Sequence, residues 1–145
     1  MTTPSFGRSY KMDVLRNVPL FRGLSQSHLG AIAKYTDAFQ ARRGAALTKQ
    51  GQHGQEAFVI VDGKARVEVG GKTVAKLGAG DFIGELSLID GKPRTATVIA
   101  ETPMTLLAVR RRDFRSLRDS VPGLQEKLLV TLCERLRQAD HALTH

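Results

Sequence analysis

Phe82-Ile83-Gly84-Glu85-Leu86-Ser87-Leu88-Ile89-Asp90-Gly91-Lys92-Pro93-Arg94-Thr95-Ala96-Thr97-Val98 is the stretch whose reading decides this chain. Gly84 lets the backbone approach a ligand closely. Glu85, Leu86 and Ser87 then open a helical turn whose first N–H groups have no partner inside the turn. Such donors, added to the helix dipole, attract anions. Arg94 follows a rigid Lys92-Pro93 turn and heads a β-type run from Thr95 to Ile99. A guanidinium held there forks onto two phosphate oxygens. Glu85 is out of place in a pure anion site. It fits a ligand that also has a hydroxyl to donate, as a ribose does.

Working outward, the segment from Phe39 to Val109 reads as short strands punctuated by glycine. Ala57-Phe58-Val59-Ile60-Val61 predicts a buried strand, and Asp62-Gly63 a hairpin turn. Ala65, Val67 and Val69 then alternate with Lys64, Arg66 and Glu68. Gly70-Gly71 makes another turn before Thr73–Leu77. Val98–Ala100 and Met104–Val109 supply later strands. Regular short strands with turns between them indicate a β-sandwich or barrel.

Helical patterns flank this region. Residues 1–10 read as a flexible tail, Met12 to Val18 as a short helix ended by Pro19, and Ser25 as a cap for the next helix. Leu29, Ile32, Ala33 and Tyr35/Thr36 continue at helical spacing. After the strands, residues 112–120 form a short helix with Phe114 and Leu117 on one side. Val121-Pro122-Gly123 breaks it, and Pro122 can open the next helix. Leu124, Leu128, Leu129, Leu132, Cys133 and Leu136 make an apolar stripe on a final helix reaching about residue 142. The expected organisation is a tail (1–10) and one domain (11–145), with the β-roll at 39–109 and C-terminal helices at 112–142.

The chain has 145 residues, 41% hydrophobic and 25% charged, which suits one globular domain with an ordinary core. The first residues lack the apolar core of a secretory signal, and no apolar run is long enough to span a membrane. The chain therefore reads as cytoplasmic. The single Cys133 agrees with a reducing compartment and reads as a buried, inert thiol. A net charge of +8 favours anionic ligands, nucleic acid or anionic surfaces. It is concentrated in Arg110-Arg111-Arg112, Arg115 and Arg118, with a smaller pair at Arg42-Arg43. The plainer reading of those clusters is a solvated helix face and strand end.

Catalysis and metal binding find little support. His28, His53, His141 and His145 show no ligand-like spacing. No Gly-x-Ser-x-Gly is present, and Ser87 has no base beside it in sequence. Glu85 could act as a general base, but a single carboxylate beside an arginine is better explained by binding. The chain reads as a non-enzyme.

Ile83-Gly84-Glu85-Leu86-Ser87-Leu88, followed by Pro93-Arg94-Thr95-Ala96-Thr97-Val98, resembles the phosphate-binding cassette of the cyclic nucleotide-binding domain family. Ser87 stands where alanine is commoner. The lead Pro19-Leu20-Phe21-Arg22-Gly23-Leu24-Ser25 and the approach Gly78-x-Gly80-Asp81 are similar to that family too, so the resemblance covers about residues 14–140. It implies a mainly β fold, a jelly-roll barrel with N-terminal helices and a C-terminal helical lid. It also implies a regulatory module binding cAMP, with cGMP the alternative. Arg94 would pair with the cyclic phosphate, joined by the N–H groups of Leu86, Ser87 and Ala96, and Glu85 would accept from the ribose 2′-hydroxyl. Thr95 holds a position where a hydroxyl often helps recognise guanine. Val74 and Ile83 would line the pocket. The final helix, around Leu136, Ala139 and Asp140, would cover the base.

The implied partners are a protein effector or a second copy meeting the final helix. The sequence shows no DNA-binding motif. Its end near the last helix sets a stand-alone sensor against a transcription regulator whose DNA reader is absent. A nucleotide-independent scaffold using the arginine cluster is the third class.

Overall fold

A computed structural model describes residues 7–84 and 91–144. Strands β1 (Thr36–Ala41), β8 (Met104–Arg110), β3 (Glu56–Asp62) and β6 (Phe82–Ile83) form one antiparallel sheet in that order. Strands β2 (Ala46–Thr48), β7 (Thr97–Ala100), β4 (Ala65–Val69) and β5 (Lys72–Leu77) form the second. Helices α1 (Arg8–Arg16) and α2 (Gln26–Lys34) precede this roll, with a 3-10 turn at Pro19–Phe21 between them. Helices α3 (Arg111–Ser120) and α4 (Leu124–Thr144) follow it. The mainly β architecture with flanking helices is as expected, although it consists of two packed sheets rather than one closed barrel.

The first sheet is buried on both faces, which explains its unbroken apolar runs. Phe58, Ile60, Leu106 and Ala108 face the second sheet, while Ala57, Val59 and Leu107 pack beneath the helices. A strand covered on both sides gains from apolar residues at every position. The second sheet has one wet face. Ala65, Val98 and Ala100 turn inward, whereas β5 is exposed along most of its length.

Element boundaries differ from the sequence reading at both ends. The first helix starts at Arg8, inside the stretch read as a flexible tail. The Gly7 carbonyl accepts from the Lys11 N–H at 3.1 Å, the Lys11 ammonium donates to the Thr36 carbonyl, and Leu15 is fully buried. The roll starts at Thr36 rather than Phe39, because Thr36–Ala38 pair with Val109–Leu107. That pairing overrides the helical spacing of Tyr35/Thr36.

The final helix departs further. Leu124 and Leu128 enter the core with Leu20, Phe21 and Leu117. Beyond them the predicted stripe emerges: Leu129 is 49% exposed and Leu136 70%. Cys133, read as buried, is exposed. At 21 residues the helix is about 32 Å long, and among its described side chains Leu124, Leu128 and, partly, Leu132 meet the apolar cluster under the first sheet. The start of the helix is fixed. The Lys127 ammonium donates to the Arg22 carbonyl at 3.0 Å.

Candidate functional site

Arg94 is the one charged side chain buried among the described residues, at 8% exposure. Its backbone is fixed first. The Arg94 N–H donates to the Gln52 carbonyl at 2.8 Å, and the Arg94 carbonyl accepts from the Gly51 N–H at 2.9 Å. These bonds dock the run after Pro93 onto the loop between β2 and β3. The guanidinium then donates through NH1 to the Gly84 carbonyl at 3.1 Å and through NH2 to the Glu56 carbonyl. Two backbone carbonyls thus fix the orientation of the guanidinium plane. The guanidinium is thereby held beside the open cavity.

Two glycines make room for it. A methyl group at Gly54 would overlap Nε, Cζ and NH2 of Arg94, and one at Gly84 would overlap NH1. Gly84 also has φ +78°, a conformation L side chains rarely adopt. An open cavity of about 300 Å³ runs past the guanidinium, walled by Leu47, Thr48, Lys49, His53, Gly54 and Phe58 among others. Its volume is at the small end for a ligand site. Lys49 adds a second cation, and Leu47 and Phe58 give an apolar wall. Thr48 Oγ1 donates to the Ala96 carbonyl at 3.0 Å, and Thr97 Oγ1 accepts from the Gln50 N–H at 2.9 Å. These bonds hold β2 to the run that carries Arg94.

A larger open hollow, about 640 Å³, lies at the opposite end of β3, against Arg42, Arg43, Asp62 and Thr105. Its arginines are solvent-exposed and held to nothing that needs explaining. Burial of a charge is costly unless it serves a purpose, so the Arg94 cavity is the functional candidate despite its smaller volume.

Of the sequence-predicted site residues, the structure brings Gly84 and Arg94 together, and Ala96 is tied through its carbonyl to Thr48 of the cavity wall. Thr95 follows Arg94 and is exposed. Glu85, Leu86 and Ser87 lie outside the described residues, as do the side chains of Ala139 and Asp140. Ile83 is 2% exposed and belongs to the core between the sheets. Phe58, which pairs with it across β3, forms the cavity wall in its place. Val74 is not brought to the cavity. The pairing of β4 with β5 shifts register between Val67 and Glu68, so Thr73 and Val74 together oppose one residue. Val74 is left 59% exposed on the outer strand. Leu136 is likewise solvent-facing and covers no cavity. The contribution of the loop from Lys49 to Glu56 was missed. Its one sequence signal is Gly54, which looks like any turn glycine until a guanidinium is seen against it.

A family model described as cyclic nucleotide-binding domain matches residues 38–120, more than half of the chain. The chain belongs to the cyclic nucleotide-binding domain family. It is 37% identical over 131 residues to a cyclic nucleotide-gated potassium channel of Rhizobium etli, covering 86% of this chain and 37% of the channel. It is 33% identical over 131 residues to the cyclic AMP receptor protein of Thermus thermophilus, covering 87% of this chain and 61% of that protein. The crystal structure of the Thermus thermophilus catabolite activator protein superposes with a TM-score of 0.79 at 34% identity, over 87% of this chain and 62% of that one. The regulatory domain of Toxoplasma gondii PKA, crystallised with cAMP, gives a TM-score of 0.78 at 28% identity, over 88% of this chain and 50% of that one. The chain thus spans between about a quarter and three fifths of the curated relatives it matches.

Proposed function

We propose that this domain binds a 3′,5′-cyclic nucleotide, cAMP first, at the Arg94 cavity, and acts as a regulatory binding module without a catalytic step. The observation that carries the reading is the buried Arg94 guanidinium, shelved on Gly54 and Gly84 beside an open cavity. Arg94 takes the cyclic phosphate, with the N–H groups of Leu86, Ser87 and Ala96 completing the anion site. Glu85 accepts from the ribose 2′-hydroxyl. Leu47 and Phe58 give the base or sugar an apolar side. The family membership and the cAMP-bound Toxoplasma gondii relative support the ligand class. Isothermal calorimetry with cAMP and cGMP tests it, and no heat with either would sink it.

Thr95 separates the two bases. Its exposed hydroxyl next to Arg94 is free to reach a guanine. Thr95→Ala is expected to lower cGMP affinity while sparing cAMP, with cAMP still preferred by the wild type. A wild-type preference for cGMP beyond about tenfold, some 1.4 kcal/mol, would reverse the assignment.

The output runs through the helices to a protein effector or a second copy, in the cytoplasm. No helix among the described residues is long and apolar enough to cross a membrane. Phe82 of β6, two residues before Gly84, packs edge-on against Phe21 at 5.7 Å between ring centroids. Phe21 shares a cluster with Leu124 and Leu128 of α4. A shift of the cassette is therefore felt at the root of that helix. Cys133 reports the result. Its exposed thiol is expected to react readily with a maleimide in the free protein, and several-fold more slowly with saturating cAMP as α4 swings onto the roll. Equal rates would mean that α4 does not respond to ligand.

A further inference from the structure

Arg111, the first residue of α3, is placed much as Arg94 is. Its guanidinium lies against Gly91, where an added methyl group would overlap NH1, Cζ and NH2. Gly91 has φ +66°. The Arg111 N–H donates to the Gln55 carbonyl at 2.7 Å, one residue before the Glu56 carbonyl that accepts from Arg94. Two arginines thus lie against two positive-φ glycines, Gly84 and Gly91, and are tied to consecutive carbonyls at the start of β3, Arg94 through its guanidinium and Arg111 through its backbone N–H. Gly91 stands three residues ahead of Arg94, so its position is passed on within about 10 Å of chain. Pro93 stiffens that link.

The Nε of Arg111 is fully enclosed and has no acceptor among the described residues. An enclosed cationic donor without a partner is unfavourable. A merely solvated surface arginine, such as Arg112 at 82% side-chain exposure, turns its head to water. Arg111 is half-buried with its Nε enclosed, and its guanidinium packs on Gly91.

We propose that Arg111 is a positioning residue, a strut between α3 and Gly91 that sets the approach to Arg94 and couples nucleotide binding to α3. The coupling rests on the reading of the Arg94 cavity as a cyclic nucleotide site, whereas the strut does not. The test is amide hydrogen exchange on wild type, Arg111→Ala and Arg111→Met. The methionine variant keeps the apolar stem and serves if alanine unfolds the start of α3. Without ligand, exchange at Gly91 and Lys92 is expected to speed up about tenfold in the variants, with β3 and β8 unchanged. Unchanged exchange at Gly91 and Lys92 would overturn the strut. With cAMP, wild type is expected to gain protection in the first turns of α3. The variants are expected to lose that gain and to bind about three- to tenfold more weakly. Arg111→Lys is expected not to rescue, because an ammonium lacks the planar head that fills the space at Gly91. Faster exchange at Gly91 with undiminished protection of α3 would overturn the coupling. A wild type that binds neither cAMP nor cGMP would defeat the reading of the cavity, and the ligand-free exchange would still decide the strut.

Discussion

Arg94→Ala is expected to lower cAMP affinity tens- to thousands-fold, which corresponds to about 2–5 kcal/mol for removing one partner of a desolvated charged pair. The argument starts from what holds the side chain. Arg94 is buried, its backbone is tied to Gly51 and Gln52, and its guanidinium reaches two carbonyls. A cyclic phosphate meeting it would find a cation whose entropy of ordering has already been lost on folding, so most of the attraction appears as affinity. The same anchoring predicts a second, smaller effect. The Gly84 and Glu56 carbonyls lose their donor in the variant, and stability is expected to fall by about 1–3 kcal/mol. Water entering the open cavity keeps that loss at the lower end. Arg94→Lys is expected to retain part of the binding, since a point charge remains but the fork does not. Calorimetry and thermal unfolding on all three proteins separate the two effects. A folded Arg94→Ala protein that binds cAMP as the wild type does would overturn the site.

The strands under the helices were legible because burial on both faces writes itself as an unbroken apolar run. Ala57–Val61 and Met104–Val109 need no partner to be recognised. The cassette was legible because a glycine, a proline and an arginine at set positions describe a backbone that turns twice and then presents one cation. Other features depend on which chains lie side by side. The exposure of Val74 goes with the place of β5 at the edge of the second sheet, exposed along most of its length, and periodicity within Thr73–Leu77 cannot reveal it. Gly54 is informative only because a residue 40 positions later folds onto it. The stripe on α4 misled for a related reason. Periodicity reports that a face wants cover, and it does not say how much of that face the fold supplies. Leu124 and Leu128 find it, while Leu129, Cys133 and Leu136 do not.

Gly84→Ala is expected to damage both binding and stability, and a matched glycine shows how much belongs to each. Gly84 adopts φ +78° and Gly71 φ +82°. An L side chain at either site is strained, at a cost of about 1–3 kcal/mol. A methyl group at Gly71 would meet nothing within 4 Å, whereas at Gly84 it would overlap NH1 of Arg94 and lie 3.2 Å from the Glu56 carbonyl. Gly71→Ala is therefore expected to lower stability and leave cAMP affinity near wild type. Gly84→Ala is expected to lower stability by at least as much and to weaken cAMP by more than about tenfold, because the guanidinium must leave its shelf and loses its pre-set aim at the phosphate. Urea unfolding gives the first quantity and calorimetry the second. If the two variants lost affinity equally, backbone strain alone would explain the loss and Gly84 would not be part of the shelf. If Gly84→Ala bound cAMP as wild type does, the resting place of Arg94 would be irrelevant to the ligand. The binding cation would then have to be sought in Lys49, which lines the same cavity.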